Sequence, residues 1–462
     1  MNNIIQVIRN TTSTYPKNIA LESSERKISY SELLLEIEKL SEKLKTIGLT
    51  KNHKVSIISD NSINFFILLL SLLNINCKPL LINRNISKNE LTKILEKFKP
   101  NVSFHYKNKE NVDLILSYHY NIFHTTIDNR IDDVELFMHT SGTTGNNKIV
   151  ALSKENIYHG ARKTKIHRNI TSNDKLYLVI PATFIFGLNL SFGLLYSGAT
   201  IYIANKIRII DIKNFSKNKI SMISLTPESL SRFYLIIKQK NINLNLRYIS
   251  YGGDSLSSQI KNQIESHLDL LLANGYGMTE TTATISINDG TMKGVGSLIE
   301  GLDIKFLDKY GNNTSKGEIC LKGNTIAIGY YNSDTGISKF KDNWFKTGDY
   351  GYFDDNNLIL LGRINDLICI NNTFYSPAKI EHIIFEKFNI KCIIQQINLN
   401  NIIFVEKFTD YDKNKIQKLL KEEFNINLNK FIEISKFPLS YNGKIKRNLL
   451  TNFKEEIDDY RS

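Results

Sequence analysis

Short, nearly continuous apolar runs that alternate with stretches of helical spacing restrict this chain more than any other feature. Val55-Ser56-Ile57-Ile58-Ser59 and Pro79-Leu80-Leu81-Ile82 read as strands, and the apolar run from Phe65 to Leu73, broken only by Ser71, reads as the helix between them. That run is far shorter than the ~20 residues needed to cross a bilayer, so it belongs in a protein core. Upstream, Leu33, Leu34, Ile37, Leu40 and Leu44 recur at helical spacing between Ile28 and Ile47, with Ser31 placed to cap the start. The rhythm returns between Lys175 and Ala273, where residues 176–180, 200–203, 222–225 and 248–251 are short apolar runs parted by helical stretches. Strands that alternate with helices build parallel sheets, so two α/β units are expected.

The pattern changes twice more. From Gly294 to Arg363 turn-forming residues are dense and the β-rich runs are short (303–307, 317–321, 358–361), which predicts a small β unit. Beyond Gly362-Arg363, helices are expected over 378–388 and 413–424 within a compact αβ mixture. A chain of 462 residues fits about three folding units at ~150 residues each. With 42% hydrophobic and 23% charged residues it can bury a core. The expected division is a large N-terminal domain, 1–363, and a small C-terminal domain, 364–462.

Composition excludes several classes of function. Cys77, Cys320, Cys369 and Cys392 stand far apart with no C-x-x-C pair, which suits a reduced cytoplasmic protein and no thiolate metal site. The first residues lack a basic region followed by an apolar stretch, so no signal peptide is expected. A net charge of +13 would attract polyanions, but the lysines are spread out and not interleaved with stacking aromatics, so no nucleic-acid partner is expected.

Leu136-Phe137-Met138 predicts a strand that delivers the chain into Thr140-Ser141-Gly142-Thr143-Thr144-Gly145-Asn146-Asn147-Lys148. Glycines let backbone N–H groups converge on phosphate oxygens, hydroxyls add donors, and the lysine adds charge. The Walker pattern G-x-x-x-x-G-K-[ST] is absent. Taken alone, the segment would read first as a surface turn.

It is followed in order by Tyr251-Gly252-Gly253-Asp254-Ser255-Leu256, Asn274-Gly275-Tyr276-Gly277-Met278-Thr279-Glu280, Gly329-Tyr330-Tyr331, Thr347-Gly348-Asp349, Gly362-Arg363 and Asn442-Gly443-Lys444-Ile445. In this order and spacing, from about residue 20 to about residue 450, the chain resembles the superfamily of adenylate-forming, AMP-binding enzymes: acyl-CoA synthetases, nonribosomal-peptide adenylation domains and luciferases. The resemblance implies an α/β fold whose large N-terminal domain holds two α/β subdomains and a small β-barrel-like unit, with a small mobile α+β C-terminal domain. It implies a ligase that converts a carboxylic acid to an acyl-adenylate with ATP and Mg²⁺ and then transfers the acyl group to a thiol. CoA is the expected acceptor, and the phosphopantetheine of an acyl carrier protein is the alternative.

The same resemblance implies residue roles. Thr140, Ser141, Gly142, Thr143, Thr144, Gly145 and Lys148 would hold the β- and γ-phosphates. Gly252, Gly253 and Asp254 would line the adenine and acyl pockets, Tyr276 would lie beside adenine and the carboxylate, and Asn274, Gly275 and Gly277 would complete the nucleotide site. Thr279 would meet the α-phosphate, Glu280 would bind Mg²⁺, and Asp349 and Arg363 would contact the ribose. Lys444 would stabilise charge at the attacking carboxylate, and Asn365 would be the hinge about which the C-terminal domain turns. Amino-acid-activating relatives carry an aspartate in the segment matching Thr183-Phe184-Ile185-Phe186-Gly187-Leu188; no acid occurs here, so an uncharged fatty or aryl acid is expected, with Phe184, Phe186 and Gly187 forming the acyl wall. Four positions depart from the family pattern: Asn147 for proline, Asn365 for an acid, Cys369 for lysine and Asn372 for the glycine beside the pantetheine arm. Asn147 removes no ligand, Asn365 and Cys369 bear on domain rotation, and Asn372 leaves adenylation better supported than thioester formation.

Overall fold

The computed structural model describes residues 3–106, 118–122, 127–140, 148–253, 256–370, 373–397, 400–407, 409–427, 430–438 and 447–450. They pack as two units: one from the described residues within 3–303 and 321–345, the other from 304–320 and 346–450.

The first unit is built on two sheets. One has eight strands in the order Gly336–Lys339, Gly329–Asn332, Lys148–Ser153, Val134–Thr140, Lys78–Asn83, Lys54–Ser59, Val102–Tyr106, Tyr118–Ile122. The other has nine: Ser297–Leu298, Ser286–Asn288, Leu272–Tyr276, Tyr248–Gly252, Met222–Leu225, Lys175–Leu178, Thr200–Ile203, Ile19–Glu22, Lys27–Ser29. The central strands run parallel, as strand–helix alternation requires, while strands near the edges turn back antiparallel.

Side chains along each central strand fall alternately into different cores. Leu176 and Leu178 face the cluster between the sheets, whereas Tyr177 faces the outer layer of helices. Leu136 and Met138 likewise point inward and Phe137 outward. Strands buried on both faces need apolar residues at nearly every position, which is why they appear in the sequence as continuous runs. Helices Ile4–Thr14, Tyr30–Thr46, Ile63–Asn74, Lys154–His167 and Ile185–Ser197 contribute to the inner core. Residues 63–73 of the third are all buried, so it has no polar face to give it a helical period.

One expected cap is corrected. Ser29, not Ser31, begins helix Tyr30–Thr46: its side chain accepts from Glu32 N at 3.2 Å while Ser29 N donates to the Glu32 carboxylate at 2.6 Å. A reciprocal box needs an acid three residues beyond the cap, and only Ser29 has one at that spacing. Ser31 sits in the first turn and donates to Pro16 O at 3.0 Å.

The second unit carries a five-stranded sheet, in the order Asn313–Thr314, Leu302–Leu307, Lys316–Gly323, Phe345–Asp354, Asn357–Arg363. After it come the hairpin Ile368–Ile370 and Thr373–Tyr375, helix Pro377–Phe388, the strands Cys392–Ile397, Asn400–Val405 and Lys430–Glu433, and helix Asp410–Phe424. Ile380, Ile384, Ile394, Ile403, Ile416 and Leu420 close the core of that α+β segment. Among the described residues no helix is long and apolar enough to cross a membrane, and the four cysteines are unpaired.

Candidate active site

The strand Val134–Thr140 ends on Thr140, which pairs directly with Lys148 at the start of the returning strand. The two ends of the candidate phosphate loop are therefore neighbours across a ladder. Ser141, Gly142, Thr143, Thr144 and Gly145 lie outside the described residues. Lys148 Nζ stands 4.4 Å from the centroid of the Tyr330 ring, a cation–π contact. Tyr330 lies on the adjoining strand, opposite Val150, and its hydroxyl donates to Glu280 Oε1 at 2.8 Å. Lys148, Tyr330 and Glu280, scattered along the sequence, thus meet in the first unit. Tyr330 belongs to a motif visible in the sequence, but its hydroxyl hydrogen bond appears only once the strands are paired.

Glu280 is buried, in the one-turn segment Thr279–Thr281 that follows strand Leu272–Tyr276. The turn is fixed at several points. Met278 N donates to Thr281 Oγ1 at 3.1 Å, Ala327 N donates to Glu280 O at 2.8 Å, and Thr282 Oγ1 donates to Thr325 O at 2.7 Å. Thr282 and Ala283 take left-handed backbone angles, φ 51° and 77°, unusual for residues with side chains. Gly277 is required by close approach: a Cβ there would stand 1.7 Å from Ala283 O. Thr279 is half-buried and Tyr276 is buried at the end of the strand.

Strand Tyr248–Gly252 runs beside Leu272–Tyr276 with Tyr251 opposite Asn274 and Gly252 opposite Gly275. Gly252, Gly253, Asn274, Gly275 and Tyr276 therefore gather at adjoining strand ends, while Asp254 lies outside the described residues. Phe186 packs over this end: its Cε1 would lie 3.4 Å from a Cβ built on Gly252. At Gly187 a Cβ would meet Pro181 O at 2.5 Å, so the entry to helix Ile185–Ser197 admits only glycine without a shift.

That entry segment is tied to the ends of two strands of the eight-stranded sheet. Asn83 Nδ2 donates to Thr183 Oγ1 at 3.2 Å, Ala182 N donates to Asn61 Oδ1 at 2.8 Å, and Asn61 Nδ2 donates to Ile180 O at 3.1 Å. Phe184 and Phe186 remain half-buried while Ile185 and Leu188 are in the core. The ring of Phe184 meets His139 edge-on at 6.3 Å. His139 is 5% exposed, and neither ring nitrogen has a hydrogen-bond partner among the described residues. Burial lowers its pKa to about 4, against a small opposing effect of Glu90, so the imidazole is neutral at neutral pH. Asn61 and His139 were not foreseen as site residues, because nothing local distinguishes them.

The ribose candidates lie in the second unit. Gly348, at φ +72°, turns the chain so that Asp349 N donates to Thr347 Oγ1 at 3.0 Å. Asp349 is buried and pairs across the ladder with Arg363, whose Nε lies 3.1 Å from Asp349 Oδ1. Arg363 Nη1 also donates to Thr347 O at 2.6 Å. Asn365 sits in the short turn Ile364–Asp366 immediately after this strand, and Lys444 lies outside the described residues.

Residues 8–331 match the sequence profile of the AMP-binding enzyme family. The 2-succinylbenzoate–CoA ligase of Listeria monocytogenes is 27% identical over 473 residues, covering 94% of this chain and 96% of that protein. The o-succinylbenzoate coenzyme A synthetase (MenE) of Bacillus subtilis, solved in complex with ATP and magnesium ion, superposes with a TM-score of 0.81 at 21% identity, covering 96% of this chain and 99% of that one. ATP-bound MatB from Rhodopseudomonas palustris gives a TM-score of 0.84 at 20% identity over 99% of this chain and 100% of that one. Matched over most of its length and sharing the fold of these enzymes, the chain belongs to the AMP-binding enzyme family.

Proposed function

We propose that this protein is an AMP-forming ligase that activates an aryl carboxylic acid as its acyl-adenylate and passes the acyl group to the thiol of CoA. The observation that carries the reading is the convergence of Lys148, Tyr330 and Glu280 beside the ends of the phosphate loop. Lysine and loop amides suit the β- and γ-phosphates of ATP. A cation held by the Glu280 carboxylate would complete its shell with phosphate and water oxygens. That donor set fits Mg²⁺, which keeps waters and uses few carboxylates. Glu280 would hold it, and when bound it neutralises phosphate charge.

In the first half-reaction a carboxylate oxygen attacks the α-phosphorus and the bond to the β-bridging oxygen breaks, so pyrophosphate leaves with the electron pair. Thr279 is assigned to the α-phosphate, Asp349 and Arg363 to the ribose, and Lys444 to the charge developing at the attacking carboxylate. In the second half-reaction the thiolate of CoA attacks the acyl carbonyl and AMP departs. The proposed functional division lies between residues 363 and 364, with Asn365 as the hinge. Aryl acids are favoured over fatty acids by the relatives named for succinylbenzoate and by the half-buried rings of Phe184 and Phe186, while the absence of an acid in residues 183–188 speaks against amino acids.

Chromatography of a reaction of ATP, Mg²⁺, CoA and 2-succinylbenzoate tests the reading. AMP, pyrophosphate and an acyl-CoA thioester are expected in equal amounts. Formation of ADP would refute the chemistry, and AMP formation that requires a carrier protein in place of CoA would refute the acceptor.

A further inference from the structure

His139 is a buried titratable group that the adenylation chemistry leaves without a task. It stands one residue before Thr140, at the end of the strand that leads into the phosphate loop, and its ring packs edge-on against Phe184. Phe184 is half-buried at the start of a helix whose entry is anchored through Asn83, on strand Lys78–Asn83, and through Asn61, in the loop after strand Lys54–Ser59. An imidazole packed for shape alone could be a phenylalanine. Two ring nitrogens taken out of water with no partner among the described residues are destabilising, and such groups in native proteins usually have a ligand or a function to account for them.

We propose that the His139 imidazole is a specificity-determining group for the acyl moiety, hydrogen-bonding an oxygen on the acid beyond the activated carboxylate and so selecting oxygen-bearing aryl acids over apolar ones of equal size. The proposal rests on the adenylation reading above and adds the part of the acid that is recognised. A neutral imidazole has one N–H donor and one acceptor nitrogen, which suits an uncharged carbonyl oxygen. Burial favours that neutral form, and Glu90, on helix Lys88–Phe98, is the charge that opposes it. Phe184 supplies an apolar wall and His139 a polar contact, the combination expected of a small-molecule pocket.

The discriminating pair of acids is 4-oxo-4-phenylbutanoate and 4-phenylbutanoate, which differ by one carbonyl oxygen. Pyrophosphate exchange into ATP is measured with each on the full-length protein, alongside equilibrium binding of ATP. The unaltered protein is expected to prefer the oxo acid by about tenfold or more in kcat/KM, because a site built to bond an oxygen rejects the analogue that lacks it. His139→Phe is expected to lower kcat/KM for the oxo acid until the two acids are within about threefold, with 4-phenylbutanoate and ATP binding little changed. His139→Gln, which keeps a donor, is expected to retain part of the preference, and His139→Leu replaces the phenylalanine variant if that one does not fold. Equal efficiency with the two acids in the unaltered protein, or an equal fall for both in the variants while ATP still binds, overturns the role of His139 and leaves adenylation standing. Absence of exchange with these and a wider panel of acids, with ATP bound, overturns the adenylation reading and this proposal with it.

Discussion

Tyr330 links two groups that the sequence presents far apart, and its hydroxyl can be removed without disturbing its ring. Tyr330→Phe would keep the contact with Lys148 and lose the hydrogen bond to Glu280. A hydrogen bond to a charged group contributes about 1.5–3 kcal/mol, so exchange should fall roughly 10- to 100-fold, with a higher Mg²⁺ concentration needed for half-maximal rate. A Mg²⁺ titration of the variant that superimposes on that of the unaltered protein would contradict this role. A second residue-scale prediction concerns Glu135, whose carboxyl is raised to about 7 by burial, against the opposing charges of Lys154 and Lys78. A raised carboxyl means that the folded protein retains a proton the unfolded chain has released. The resulting stability is complete below the unfolded value near 4.5 and is lost as pH rises through about 7. Relative to the unaltered protein, Glu135→Gln should therefore gain stability from about pH 5 to about pH 8, by up to about 3 kcal/mol. Urea unfolding at several pH values measures it, and a pH-independent difference would refute it.

At the scale of elements, the turn holding Glu280 depends on chain geometry more than on side-chain chemistry. Gly277→Ala would drive a Cβ into Ala283 O, and the turn would have to open to relieve the contact. Exchange should drop by at least tenfold while urea stability falls by only about 1–3 kcal/mol, the cost of a local steric conflict. Undiminished exchange in a folded variant would show that the turn tolerates the methyl group and does not set the position of Glu280. The strands of the first unit were legible because burial on both faces leaves an unbroken apolar run, as at Leu80-Leu81-Ile82. The cap at Ser29 was misplaced by two residues because both serines can cap, and the deciding group was the Glu32 carboxylate. The antiparallel edges were not legible, since strand direction depends on pairing across the sheet and not on local pattern.

For the molecule as a whole, motif order announced the family and the alternation of elements announced the two-sheet architecture. Proximity was hidden. Tyr330 reaches Glu280 because Gly329–Asn332 returns to pair with Lys148–Ser153, and no local signal encodes that return. His139 and Asn61 were missed for the same reason: each is marked by its surroundings alone. Glu280, Asp349 and Arg363 were named from the sequence. The structure adds that Glu280 accepts from Tyr330 in one unit and that Asp349 pairs with Arg363 in the other. The central claim, that these groups serve adenylation of a carboxylate, is tested most directly by exchange of labelled pyrophosphate into ATP, with and without 2-succinylbenzoate and without CoA. The account predicts exchange that requires both the acid and Mg²⁺ and falls at least 100-fold in Glu280→Gln, as loss of a charged metal contact entails. Exchange that proceeds without any carboxylic acid, or that survives the loss of the Glu280 charge, would contradict it.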